Sequence, residues 1–99
     1  MSKYARKVDT NQADVIQWYT AFGYDVINTS KMGDGFVDFI AVKRIYYDGV
    51  PYWEQIWVEV KADENAEYTP AQKRFNEKYP GLAVRVETVE DVMRSVQDA

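Results

Sequence analysis

Two stretches decide the fold: Phe36-Val37-Asp38-Phe39-Ile40-Ala41-Val42-Lys43-Arg44 and Trp53-Glu54-Gln55-Ile56-Trp57-Val58-Glu59-Val60-Lys61. Each is an apolar, β-branched and aromatic run of strand length, which reads as a buried strand. Between them Asp48-Gly49 is a tight-turn dipeptide with aromatic flanks, so the two strands form a hairpin. Each strand holds an acid that its apolar surroundings do not explain. Asp38 lies between Val37 and Phe39, and Glu59 between Val58 and Val60. Strand residues two apart share a face, so Glu59 and Lys61 project side by side, and Asp38 projects beside them if the strands are neighbours.

Working outward, Asp9 or Thr10 caps a helix that begins near Asn11. Val15, Ile16, Trp18, Tyr19 and Phe22 give it an apolar face, with Trp18 and Tyr19 read as core, and Gly23 ends it. Tyr24–Asn28 is a short strand and Thr29–Gly35 a glycine-bearing loop. After the hairpin comes an acidic, polar loop, Ala62–Tyr68. Thr69 then caps a helix with Pro70 at its first position, and Pro80-Gly81 stops it. Leu82–Val86 is a strand, and Thr88 with Asp91 opens a last helix with Val89, Val92, Met93 and Val96 on its buried side. The expected order is helix, three strands, helix, strand, helix: an α/β domain with a mixed sheet flanked by helices, spanning residues 1–99 behind a basic tail at 1–8.

Composition limits the chemistry. With no cysteine and no histidine, thiolate and imidazole metal sites, disulfides and histidine general bases are all excluded. A metal must be held by oxygen, which points to Mg²⁺, Mn²⁺ or Ca²⁺. No apolar run reaches membrane-spanning length and Met1–Lys7 is no signal peptide, so a cytoplasmic protein with no membrane partner is expected. The net charge of −4 argues against a nucleic-acid binder. Its distribution softens that objection, because the acids concentrate in Asp63–Glu67 and near the C-terminus.

Two carboxylates and an ammonium on one patch have a bland reading and a chemical one. They are either the solvated side of an amphipathic strand, or a divalent-metal site with a lysine placed beside it for phosphodiester hydrolysis. Spacing alone leaves both readings open.

The pattern Gly33-Asp34-Gly35-Phe36-Val37-Asp38, then Val58-Glu59-Val60-Lys61, then Thr69-Pro70-Ala71-Gln72 resembles the PD-(D/E)XK nuclease superfamily. Within it, the chain is most similar to the virus-type replication-repair nuclease (VRR-Nuc) group and to small phage proteins like Holliday-junction resolvases. The likeness runs from Asp9 to about Val96, and Val37 stands where the motif has proline. It implies a restriction-endonuclease-like core and a metal-dependent endodeoxyribonuclease of a phage or its bacterial host. Such an enzyme acts on structured DNA (junctions, flaps or nicks) as a homodimer, or as a subunit of a larger replication or repair assembly.

Carried onto this chain, the resemblance makes Asp38 and Glu59 ligands of Mg²⁺ or Mn²⁺ and the Val60 backbone carbonyl a third. Lys61 becomes the catalytic lysine and Gln72 its companion at the next helix. The first-helix ligand falls on Asp14 or Gln12, and both stay open. Lys31, Gly35, Lys43, Lys73 and Arg74 are candidate DNA contacts. The aromatic residues Tyr46, Tyr47, Tyr52, Trp53 and Trp57 are read as a dimer contact, a stacking platform or core. A catalytically weak or inactive nuclease-fold module that binds DNA or a protein is the alternative.

Overall fold

The computed structural model describes the backbone of residues 2–99 and the side chains of residues 11–99. Asp9 and Thr10, expected to cap the first helix, lie inside it, because α1 runs from Ser2; the side chains of residues 1–10 lie outside the described residues. The elements follow the expected order: α1 (Ser2–Ala21), β1 (Asp25–Asn28), β2 (Phe39–Tyr47), β3 (Val50–Val60), α2 (Pro70–Lys78), β4 (Ala83–Val86) and α3 (Val89–Asp98). Helix α1 begins ahead of the start expected near Asn11. Ser2–Thr10 holds neither glycine nor proline to stop it. It ends at Gly23, whose φ of 91° lets Tyr24 N–H donate back to the Tyr19 carbonyl at 3.1 Å.

The sheet runs β1-β2-β3-β4, antiparallel across the first two pairings and parallel between β3 and β4. A parallel neighbour needs a crossover, and α2 is that crossover. Register assigns the side chains to two faces. Phe39 opposite Val58 and Ala41 opposite Ile56 share one face with Val86. There they pack with Val15, Tyr19 and Tyr24 and with Val92 of α3 into the apolar core. Tyr19 sits edge-on to Tyr24 and Phe39, at centroid distances of 5.9 and 5.8 Å. Its hydroxyl hydrogen-bonds Ser95 Oγ at 2.6 Å, joining α1 to α3.

The opposite face is thinly covered. Helix α2 has no buried residue. Phe75 lies edge-on to Phe36 at 5.7 Å, and Phe36 meets Trp57 at 5.4 Å. The half of this face farther from α2 is bare, a shallow apolar hollow lined by Ile27, Ile40, Val42, Trp53 and Gln55.

Both capping boxes form: Thr69 with Gln72, and Thr88 with Asp91. The hairpin is longer than the sequence suggests. Strand β1 covers β2 only through Val42, so Lys43–Tyr47 and Val50–Glu54 continue as a two-stranded ribbon. Its turn has both Asp48 (φ 51°) and Gly49 (φ 76°) left-handed, the type I′ geometry that matches strand twist. The ribbon exposes Tyr46, Tyr47, Val50, Tyr52 and Trp53.

At its other end β2 starts at Phe39, later than the expected Phe36. Asp38 N–H still donates to the Val58 carbonyl at 3.0 Å, but the next ladder donor, Val60 N–H, goes to the Asp38 side chain at 2.7 Å. A carboxylate takes the place of the backbone partner, and regular pairing stops there. No helix among the described residues is long and apolar enough to cross a membrane.

Candidate functional site

Asp38, Glu59 and Lys61 meet on the thinly covered face, where β2 begins and β3 ends. Register places Glu59 beside Arg85 of β4. Glu59 is 3% exposed, and its Oε1 has no hydrogen-bond partner. It is the one such orphan among the buried side-chain polar atoms of the described residues. A buried acceptor without a donor costs about 1–3 kcal/mol.

Burial raises the Glu59 carboxyl above its ordinary value. The Lys61 ammonium opposes that shift, Asp38 adds to it, and the Asn76 amide and Arg85 oppose it. Burial likewise raises Asp38, against the Val60 N–H and Lys61. The two acids therefore repel one another in a partly dehydrated place.

Val60 contributes through its backbone. In a strand, a residue's N–H and C=O face the same neighbour. The Val60 N–H reaches Asp38 Oδ2, so the Val60 carbonyl also turns to the Asp38 side. Two carboxylates and a carbonyl are a hard, all-oxygen donor set. It fits a Mg²⁺ or Mn²⁺ ion that keeps several waters, and the orphaned Glu59 Oε1 is the oxygen such an ion would satisfy.

Lys61 is fixed from three sides. Its ammonium donates to Gln72 Oε1 at 2.8 Å and to the Glu67 carbonyl at 3.2 Å, and lies 5.3 Å from the Tyr68 ring centroid. Gln72 is itself fixed, because the same Oε1 accepts the Thr69 N–H at 2.9 Å in the capping box. The residue that closes the α2 capping box thus also orients the lysine. Gly35 lets α2 come this close. A Cβ there would stand 2.3 Å from the Ala71 carbonyl oxygen, and its φ is 76°.

No known protein family, curated protein or solved structure matches this chain.

The first-helix candidates fall differently. Gln12 and Asp14 are both half-buried on α1. Among the described residues no three of Asp, Glu, His or Cys gather to hold a metal, so Asp38 and Glu59 stand as a pair without Asp14. Asn11 of α1 reaches the end of the motif strand, where its amide donates to the Lys61 carbonyl at 2.8 Å.

Of the candidate DNA contacts, Lys73 and Arg74 are exposed on α2, on the same side of the sheet as the acids, and Lys31 is exposed in the loop before Gly33. Lys43 lies on the other face, where it donates to the Phe22 carbonyl at 3.0 Å and sits over Tyr24. The close approach at Gly35 is to α2.

Sequence reading missed Asn11, Tyr68, Asn76 and Arg85. Arg85 had a signal. It is the one charge in Ala83-Val84-Arg85-Val86, the same anomaly that marks Asp38 and Glu59. Tyr68 and Asn76 had none, because only folding brings them to Lys61 and Glu59.

Proposed function

We propose that the chain is a divalent-metal-dependent nuclease of the PD-(D/E)XK type, close to the VRR-Nuc and resolvase-like group, hydrolysing phosphodiester bonds in DNA. The observation that carries this reading is the buried, unpartnered Glu59 oxygen beside Asp38, two residues from a lysine fixed by Gln72. The strand order, and the placing of the acids at the start of β2 and the end of β3, support a restriction-endonuclease-like core.

Asp38, Glu59 and the Val60 carbonyl would hold Mg²⁺ or Mn²⁺. The bound ion supplies an activated water and neutralises charge on the scissile phosphate. The Lys61 ammonium, held by Gln72, places a positive charge and a proton donor next to the acids, where it stabilises the oxygens that gain charge. Lys73 and Arg74 would meet phosphates outside the centre.

Branched or nicked DNA is the substrate class the resemblance implies. The homodimer it implies would use the aromatic ribbon, whose apolar side chains are exposed on both faces. A larger replication or repair assembly would use the same surface. The second reading is a nuclease-fold module that binds without cutting. The two-acid centre favours it, because one fewer carboxylate weakens metal binding.

One assay separates the two readings. Labelled four-way junction, flap, nicked and plain duplex DNA are incubated with Mn²⁺ or with EDTA, for wild type, Glu59→Gln and Lys61→Ala. The nuclease reading expects metal-dependent cleavage that falls on the order of 10²–10³-fold in both variants. Metal-independent binding with no cleavage by any form establishes the module.

A further inference from the structure

The segment between the catalytic-type lysine and α2 is pinned by one side chain. Arg85 Nη2 donates to the Asp63 carbonyl at 3.0 Å and to the Ala66 carbonyl at 2.7 Å. Its guanidinium lies 5.1 Å from the Tyr68 ring centroid. Its Nε is anchored on Glu87 at 2.5 Å, so the fork is held from behind by the side chain two residues on, just past the end of β4.

Lys61 uses the other side of this segment. The Glu67 carbonyl accepts from its ammonium, and the Tyr68 ring that Arg85 touches also carries Lys61. Three polar acidic residues, Asp63, Glu64 and Glu67, would otherwise keep the segment in solvent. Lys61 is a flexible four-carbon chain whose ammonium needs such walls to stay in one place.

We infer that Arg85 is a positioning residue of the candidate site: by clamping the Asp63–Tyr68 segment it sets the Glu67 carbonyl and the Tyr68 ring that aim the Lys61 ammonium. The inference rests on the nuclease reading for its consequence, but its geometry can be measured without turnover. A guanidinium is required because the task is geometric. Two carbonyls and one carboxylate are met by a planar fork, whereas an ammonium offers the charge alone. Arg85 also lies near Glu59, so charge and fork must be separated experimentally.

The test compares wild type, Arg85→Gln, Arg85→Lys and Glu87→Gln by NMR of the lysine ε-CH₂ and Nζ signals, with Lys61 assigned from Lys61→Arg. Core aromatic signals from Tyr19 and Phe39 report that each variant is folded. In wild type the Lys61 ε-CH₂ protons stand upfield of a free lysine's, under the Tyr68 ring current. In Arg85→Gln they return to the values of a free lysine, and Arg85→Lys does not restore them. Glu87→Gln, which frees the back of the fork, gives a smaller shift in the same direction and serves if Arg85→Gln unfolds.

In the cleavage assay the Arg85 variants lower kcat roughly ten- to hundredfold at little-changed KM, as a misplaced group does. Lys61 signals unmoved in folded Arg85→Gln, or fully restored by Arg85→Lys, would overturn the inference. A wild type that cuts no substrate while its Lys61 signals respond as described sinks the nuclease reading and leaves the clamp standing.

Discussion

The two faces of the sheet are built to different rules. The face under α1 and α3 is mostly volume: Val15, Tyr19, Phe39, Val58, Val86 and Val92 are fully buried, and its polar links, among them Tyr19 to Ser95 and Tyr24 to Glu54, are satisfied. The face toward α2 has no fully buried large side chain from its helix, yet it holds the one orphaned buried oxygen among the described residues. On the first face, sequence is constrained by packing. On the second, Asp38, Glu59 and Lys61 occupy strand positions that Val, Ile or Thr would fill with less strain. The sheet packs fully on one side and keeps buried acids on the other, where they cost stability.

The comparison breaks most visibly at Phe39. Phe39→Ala removes a ring that touches Tyr19 and is 0% exposed, and should lower stability by about 3–5 kcal/mol. Domains of this size have only about 5–15 kcal/mol in total, so urea denaturation should show a large fall in midpoint. A loss under about 1 kcal/mol would mean that the core face is not the stabilising one.

Gly35→Ala tests the thin cover. The new Cβ would enter the Ala71 carbonyl, and the backbone there is left-handed, so α2 must move. The expected loss is about 2–3 kcal/mol, smaller than at Phe39 because α2 buries little. Its sharper consequence is local. Gln72 sits one residue past the clash, so Lys61 loses its 2.8 Å acceptor and cleavage should fall more than stability does. Equal losses of both would remove the link between α2 and the lysine.

Much of the division between faces is legible before folding. The apolar runs around Asp38 and Glu59, the Asp48-Gly49 turn and both threonine caps are local signals: the turn and both caps form where expected, and the two runs form strands with shifted ends. What is not legible depends on chain reversal. The β2 start shifts because the Asp38 side chain captures Val60 N–H, a contact between residues 22 positions apart. Lys43 looks like Lys73 in sequence, and only register sends it to the α1 face. Asn11 reaches the Lys61 carbonyl across 50 positions, and Arg85 reaches the acidic loop from the neighbouring strand. Spacing rules see one element at a time, whereas a site is made where several elements end together.

Glu59→Gln gives the smallest change in stability, and its sign is the most informative. Burial raises the Glu59 and Asp38 carboxyls, so across the window from ordinary carboxylate values up to the raised ones the folded state binds more protons than the unfolded. Stability is therefore fully present below the ordinary carboxylate range and is lost as pH rises through the raised values. Glu59→Gln removes one of the two titrating groups. The variant should match wild type in acid and become the more stable by about 1 kcal/mol near neutrality, where wild type must hold a buried anion. Added Mn²⁺ should reverse that order, because binding to the ionised pair stabilises wild type by about 1.4 kcal/mol at ten times Kd and leaves the variant nearly unmoved. Thermal melts across pH, with and without the metal, read both effects. Parallel curves for the two proteins at every pH would show that Glu59 is an ordinary strand acid, and the second face would then differ from the first only in how little covers it.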